Sequence, residues 1–79
     1  MKLTDITEDT VIVCDSPAER KQALDILDST EVDQLGANCS YNVAPNILYR
    51  KRHQEYKTID NTHSCGVKIP ASTFIQNNS

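Results

Sequence analysis

The chain has 79 residues, a hydrophobic share of 38% and a formal net charge of −3, from eight Lys and Arg residues against eleven Asp and Glu residues. A chain of this length forms one domain with a small core, and its mild acidity is far from the dense negative surface of a protein that imitates DNA. No apolar run approaches the length of a membrane span, and the acidic stretch MKLTDITEDT lacks the apolar segment of a secretory signal. We therefore expect a soluble, cytoplasmic protein that does not bind membranes.

The three cysteines, Cys14, Cys39 and Cys65, follow no repeated spacing. An odd number of thiols without a pattern argues against a disulfide framework and favours a reducing compartment. The charges are unevenly distributed along the chain, since residues 1–36 carry nine acidic and three basic residues, whereas residues 37–79 carry two acidic and five basic ones. Whether the two signs separate in space depends on the fold.

The clearest local signal is TVIVCDSPAERKQALDILDS, in which a β-branched run is followed by a helix start. Ser16 can cap the helix, Pro17 suits its first position, and Glu19 can complete a capping box. The spacing predicts a helix over about residues 17–28. Its apolar face comprises Ala23, Leu24, Ile26 and Leu27. We expect this face to pack against a sheet.

The next segment, TEVDQLG, predicts a second short turn of helix. Thr30 would cap this turn and Gly36 would end it, while Val32 and Leu35 would face inward.

Beyond Gly36 the apolar period changes to two, which predicts strands in NILYRKR and EYKTI. NTHSCGVKIP predicts another strand over residues 63–69. On one face this strand would carry His63, Cys65, Val67 and Ile69. Pro70 would end it, and ASTFI predicts a short helical turn, capped by Ser72, that returns Phe74 to the core. The polar residues 76–79 are expected to be a frayed tail.

Together these elements predict a single α+β domain over residues 1–79. One main helix would pack on a three- to four-stranded, mainly antiparallel sheet, in the approximate order β-α-(α)-β-β-β. The first strand is apolar on both faces, because Val11 and Val13 alternate with Ile12 and Cys14. One helix covers one face, so the other face would meet either the C-terminal segment or a second copy in a homodimer or higher oligomer.

His63 and Cys65 raise the question of a metal site or a nucleophile. Structural zinc needs four ligands, usually in two close pairs, and Cys14, Cys39 and His53 lie far apart in the sequence. A zinc-binding domain is therefore a lesser alternative, and we expect no metal or cofactor. A cysteine nucleophile needs an exposed thiolate with a base in reach, whereas the apolar stripe around Cys65 predicts burial. No catalytic residues are expected.

The densest candidate for binding is YRKRHQEYK. Its candidate binding residues are Tyr49, Arg50, Lys51, Arg52, His53, Tyr56 and Lys57. The cations could hold phosphate groups while bases stack on the tyrosines, or the segment could meet an acidic protein surface. A third alternative is a solvated hairpin whose charges prevent edge-to-edge association of sheets.

The order LTDITEDTVIVCDSPAERKQALDIL, LGANCSYN, ILYRKRHQEYKTI and VKIPASTFI is similar to small accessory proteins of tailed bacteriophages. In those proteins a D-x-T-E-D-T-V-I strand leads into a helix, a G-Y-x-W strand follows, and the chain closes near I-P-A-S-x-F-I. Here Ala37, Asn38 and Cys39 follow Gly36 where that family has an aromatic residue. The resemblance implies a host-takeover or anti-defence role and brings no catalytic residues.

The leading hypothesis is thus a non-enzymatic, phage-type protein that binds a host protein in the bacterial cytoplasm and inhibits or redirects it. The alternative is a module that binds a nucleotide or nucleic acid through the basic segment 49–57.

Overall fold

The computed structural model describes residues 5–62 and 66–78. Within these ranges the chain forms five strands and two helices. In chain order they are β1 (Thr10–Val13), α1 (Pro17–Asp28), β2 (Asp33–Gln34), β3 (Asn46–Arg50), β4 (Glu55–Ile59), β5 (Val67–Pro70) and α2 (Ala71–Asn78). The predicted α+β class is confirmed.

The strands form one mixed sheet in the order β2-β4-β3-β1-β5. The β1–β3 and β3–β4 pairs are antiparallel, whereas β1–β5 and β2–β4 are parallel. The prediction of a mainly antiparallel sheet with three or four strands is therefore wrong in its details. Alternation of apolar residues indicates that a segment is a strand, but it does not indicate whether the neighbouring strand is parallel or antiparallel to it.

Helix α1 begins and ends where the sequence predicts. The Glu19 amide donates to Ser16 Oγ at 3.1 Å, and Pro17 occupies the first helical position. The Glu19 carboxylate accepts from the amide of Asp15 at 3.2 Å, one residue before the cap that a capping box would use. Ala23 and Leu27 are buried on the predicted apolar face.

Both helices cover the same face of the sheet, here called the helix face. The main core lies between the two helices and this face of the sheet. It is built from residues of every element except β2 and from the segments beside β1. Its buried members are Ile6, Ile12, Cys14, Ala23, Leu27, Ile47, Tyr49, Tyr56, Ile69, Ala71 and Phe74. The C-terminal segment therefore adds to the core that α1 already covers and does not cover the second face.

The second face of the sheet carries a smaller apolar cluster of Val11, Leu48 and Ile59. Val11 is 1% exposed and Leu48 is 5% exposed, so both are buried within one chain. At one end of this face Asn61 accepts a hydrogen bond from the Asn46 side-chain amide at 3.0 Å. The burial of this cluster does not require a second copy, and self-association stays a prediction.

Directly before β5, Gly66 lies against the main chain of Asp9. Between Asn61 and Gly66 the chain includes residues 63–65, which lie outside the described ranges. The prediction that His63 and Cys65 share an inward strand face falls on those residues. The described part of that strand is β5.

The helical turn predicted for residues 30–36 is wrong. The Thr30 hydroxyl donates to the Leu27 carbonyl at 2.8 Å, at the end of α1. Asp33 and Gln34 form β2 beside β4, and Leu35 is 40% exposed instead of facing inward. Val32 does pack against the core. An isolated turn of helix is poorly stable, so pairing with β4 prevails.

The C-terminal helix is longer than predicted. It begins at Ala71, directly after Pro70, which makes Ser72 its second residue and not its cap. Phe74 is fully buried, as predicted. Residues 76–78, which were expected to fray, belong to the helix.

Candidate functional site

Two members of the predicted binding segment, Tyr49 and Tyr56, lie in the core. They are partners across the β3–β4 pair, and they are 2% and 0% exposed respectively. Burial raises the pKa of the Tyr49 hydroxyl. Because neither ring presents a face to solvent, neither can stack on a base, and the stacking role predicted for them is wrong.

Tyr56 instead ties β4 to the end of α1. Its hydroxyl donates to Asp28 Oδ1 and lies 3.3 Å from Gln34 Oε1 in β2. Burial, and then the hydrogen bond and the charge of Asp28, raise the pKa of Tyr56 to about 12. This polar contact is structural, since it joins three elements at the margin of the core.

The basic members of the segment lie mostly in a turn. Strand β3 ends at Arg50, so the predicted continuation of the strand to Arg52 is wrong. Residues 51–54 form the link to β4 and are here called the basic turn. Arg52 and His53 are exposed, and Lys51 is half-buried.

The main chain of the basic turn is fixed on three sides. The Lys51 amide donates to Asp9 Oδ1 at 3.1 Å, and the Gln54 amide donates to the Lys51 carbonyl at 3.2 Å. The Gln54 carbonyl accepts from the Asp33 amide at 3.0 Å. Gln54 has a φ of 50°, in the left-handed region that non-glycine residues seldom adopt. The turn is therefore an ordered support for two exposed side chains.

Arg50 and Lys57 face away from the helices, on the second face. Arg50 Nη1 and Glu55 Oε1 form a partly exposed ion pair of 3.1 Å, so the Arg50 guanidinium already has an acidic partner. Lys57 is half-buried beside Leu48 in the cross-strand register. These two cations are therefore less available to a ligand than Arg52 and His53.

Acidic groups surround the basic turn. The Asp9 carboxylate holds the Lys51 amide, Asp33 in β2 is exposed beside Glu55, and Glu55 pairs with Arg50. The local charge is thus mixed, with cations at the tip and carboxylates behind them. Such a pattern suits a protein surface of complementary charge better than a run of phosphates.

Protection of a sheet edge does not explain these charges. Strand β3 is the central strand of the order β2-β4-β3-β1-β5 and has neighbours on both sides. The edge strand β5 carries Lys68 and Pro70, a cation and a residue without an amide proton, which are typical of protected edges.

The structure describes two of the three cysteines. Cys14 and Cys39 are both free thiols, and Cys14 is buried whereas Cys39 is exposed. Burial is the main cause that raises the pKa of the Cys14 thiol to about 12, with smaller effects from Glu19 and Asp15 that raise it and from Arg20 that lowers it. A thiol in this state is not a nucleophile at neutral pH.

No group of three or more His, Cys, Asp or Glu residues is arranged to hold a metal ion within residues 5–62 and 66–78. His63 and Cys65 lie outside those ranges, so the zinc alternative stays a prediction.

Sequence reasoning missed Arg20, which is 6% exposed. Its Nη2 donates to the Cys39 carbonyl, and its buried Nε has no hydrogen-bond partner within residues 5–62 and 66–78. A signal was present, because residue 20 lies at helical spacing from Ala23, Leu24 and Leu27 and so shares their apolar face. Buried arginines without a paired acid are unusual.

No protein family, curated protein or solved structure gives a significant match to this chain. Within the described residues, no helix is both long and apolar enough to cross a lipid bilayer. The similarity to phage accessory proteins stays a prediction from the sequence. The geometry of the basic turn is therefore the main basis for a functional proposal.

Proposed function

We propose that this chain is a non-enzymatic, phage-type binding protein of the bacterial cytoplasm, which uses its basic turn to bind a host protein and inhibit or redirect it. The observation that carries the proposal is the combination of a fixed main chain with exposed side chains in residues 51–54. Three hydrogen bonds hold the turn, while Arg52 and His53 project into solvent.

A fixed turn favours binding because less conformational entropy is lost when the partner docks. Arginine is also the cation that most often dominates protein interfaces, since its planar guanidinium forms several directed hydrogen bonds. Arg52 is therefore the residue on which we expect recognition to depend most, and His53 extends the same surface.

A protein partner is favoured over a nucleic acid for two reasons. Tyr49 and Tyr56 are in the core, which removes the aromatic surface that single-stranded nucleic acids use for stacking. The carboxylates of Asp9, Asp33 and Glu55 lie close behind the turn and would repel a phosphate backbone. An acidic patch on a protein can be shaped to avoid those carboxylates.

The test compares Arg52→Glu with Lys21→Glu, a matched control that makes the same change of charge on the exposed side of α1. Each tagged variant is used to capture partners from bacterial lysate, and thermal melting is measured for both. We expect Arg52→Glu to lose the protein that the parent chain and Lys21→Glu both recover, with an unchanged melting transition.

Equal recovery by both variants would contradict the role of the basic turn. Binding of a short single-stranded oligonucleotide, measured at low and at moderate salt, distinguishes the alternative. Tight, salt-sensitive binding that Arg52→Glu abolishes and Lys21→Glu retains would favour the nucleic-acid alternative instead.

A further inference from the structure

Most of the segment between α1 and β3 is exposed and contributes little to the core, whereas Ala44 and Pro45 at its end are buried. Residues 29–43, here called the strap, include β2 and run beside β4. Thirteen of these fifteen residues are exposed, and only Val32 and Tyr41 are half-buried. The strap is thus not held mainly by buried apolar surface, which is the strongest source of local stability.

Hydrogen bonds attach the strap to the rest of the chain at several separate points. Along β4, the Asp33 and Leu35 amides donate to the carbonyls of Gln54 and Tyr56 at 3.0 and 2.7 Å. Further along, the Cys39 amide donates to Thr58 Oγ1 at 3.1 Å. Most of these bonds lie near solvent, where water can replace either partner, so each adds only modest stability.

Near the end of the strap, Tyr41 forms a further attachment by donating its hydroxyl proton to the Cys14 carbonyl at 3.3 Å. This hydrogen bond joins the strap to the segment that directly follows β1. Water can replace either partner of the bond, as in the bonds to β4.

Arg20 of α1 both attaches the strap and opposes its closure. Its guanidinium lies under the strap, bonded to the Cys39 carbonyl, and its Nε is buried without a partner. The bond to the Cys39 carbonyl favours closure, whereas the buried Nε, which has lost its hydration and has no partner among the described residues, opposes it. When the strap opens, Arg20 returns to water and the strap residues regain conformational entropy.

We infer that the strap opens as a unit while the remaining fold stays intact. Opening removes β2 from β4 and exposes the carbonyls of Gln54 and Tyr56 together with the Arg20 guanidinium. The native fold therefore includes a closed form and a minor open form with an unpaired strand edge. This inference concerns a different surface from the basic turn and does not depend on the proposed function.

The test is native-state hydrogen exchange of the whole chain, with the Leu35 amide as the probe of the strap and the Ile12 amide as the probe of the central strand β1. After correction for intrinsic rates, we expect Leu35 to exchange at least about 100-fold faster than Ile12. Its rate should change little with low concentrations of urea, since local opening exposes little surface, whereas the Ile12 rate should rise steeply.

Two variants sharpen the comparison. Thr58→Val removes the acceptor of the Cys39 amide hydrogen bond. Because this bond is lost both in the open form and in the unfolded chain, the substitution should accelerate exchange of the Leu35 and Ile12 amides by the same factor. Val11 lies on the second face of the sheet, away from the strap. Val11→Ala should accelerate exchange of the Ile12 amide and leave the exchange rate of the Leu35 amide unchanged.

If Leu35 and Ile12 exchange with equal protection and equal urea dependence in the parent chain, the strap does not open separately. An equal acceleration of both amides in Val11→Ala would overturn the inference in the same way. The urea dependence is measured on the parent chain, so the test does not depend on either variant folding.

Discussion

Replacing Gly66 with alanine tests the join between the start of β5 and the chain before β1. Gly66 has a φ of +64°, and a Cβ at this position would overlap the carbonyl oxygen of Asp9 and lie 3.3 Å from its carbonyl carbon. The same Asp9 carbonyl accepts a hydrogen bond from the Val67 amide at 3.3 Å. The main chain of Asp9 cannot move away without weakening the β1–β5 pair.

Gly36 provides the matched control. It has a similar φ of +76°, but nothing lies within 4 Å of a Cβ built there. Gly36→Ala should therefore lose only the left-handed preference, about 1 kcal/mol. Gly66→Ala adds the overlap with main-chain atoms, which resembles overpacking of a core and costs about 1 to 3 kcal/mol more. The expected loss for Gly66→Ala is thus about 2 to 4 kcal/mol from these two contributions.

Equilibrium unfolding in urea measures both losses, and an unchanged slope in the two variants would show that they alter stability and not the extent of unfolding. Equal losses for the two glycines would refute the reasoning, because the larger loss expected for Gly66→Ala comes from the contact with Asp9.

Other predictions concern the helix, the thiols and the buried tyrosine. Ser16→Ala should lower the free energy of unfolding by about 1 kcal/mol through loss of the helix cap. Leu27→Ala should lower it by about 2 to 5 kcal/mol, because the Leu27 side chain is fully buried. Negligible effects of both substitutions in urea unfolding would show that α1 does not pack as described. In the folded chain Cys39 should react rapidly with a thiol reagent while Cys14 reacts only after unfolding, and site-resolved mass spectrometry that found Cys14 labelled first would contradict its burial. The folded pKa of Tyr56 is raised from 10.0 to about 12, so its contribution to stability is complete below pH 10 and is lost as the pH rises towards 12. Tyr56→Phe should reduce this alkaline loss, and an identical pH profile in that variant would exclude Tyr56 as its source.

Elements with strong local signals could be predicted from the sequence. Ser16 and Pro17 fix the start of α1, and the alternation in NILYR and EYKTI fixes β3 and β4, because capping and two-residue periodicity depend only on near neighbours. Phe74 is in the core as predicted, because it is the one phenylalanine of the chain and large aromatic side chains are usually buried.

Strand β2 could not be predicted, because it is only two residues long and both of them, Asp33 and Gln34, are polar and exposed. Their strand geometry comes from β4, which is distant in sequence, and no local preference encodes it. The parallel β1–β5 pair was missed for a related reason, since its direction is set by the path of the whole chain.

The exposure of the candidate binding residues could be predicted in part. Tyr49 lies two residues from Ile47 in β3, so the two side chains share the buried side of the strand, and this spacing is the signal for burial that the prediction of a binding role left out. Arg52 and His53 belong to the run YRKRHQEYK, and polar side chains such as these are usually exposed. The hydrogen bond from Lys51 to Asp9 joins residues 42 apart, so the rigidity of the turn had no sequence signal.

The position of β1 in the sheet also constrains the order of assembly during synthesis. Its two partners, β3 and β5, both follow β1 in the chain, and the register joins Thr10 to Tyr49 on one side and to Val67 on the other. Both pairings require the closure of long loops, which slows folding. The nascent chain therefore cannot complete its sheet until residues 67–70 have left the ribosome, and until then the apolar faces of β1 stay open to chaperones or to other chains.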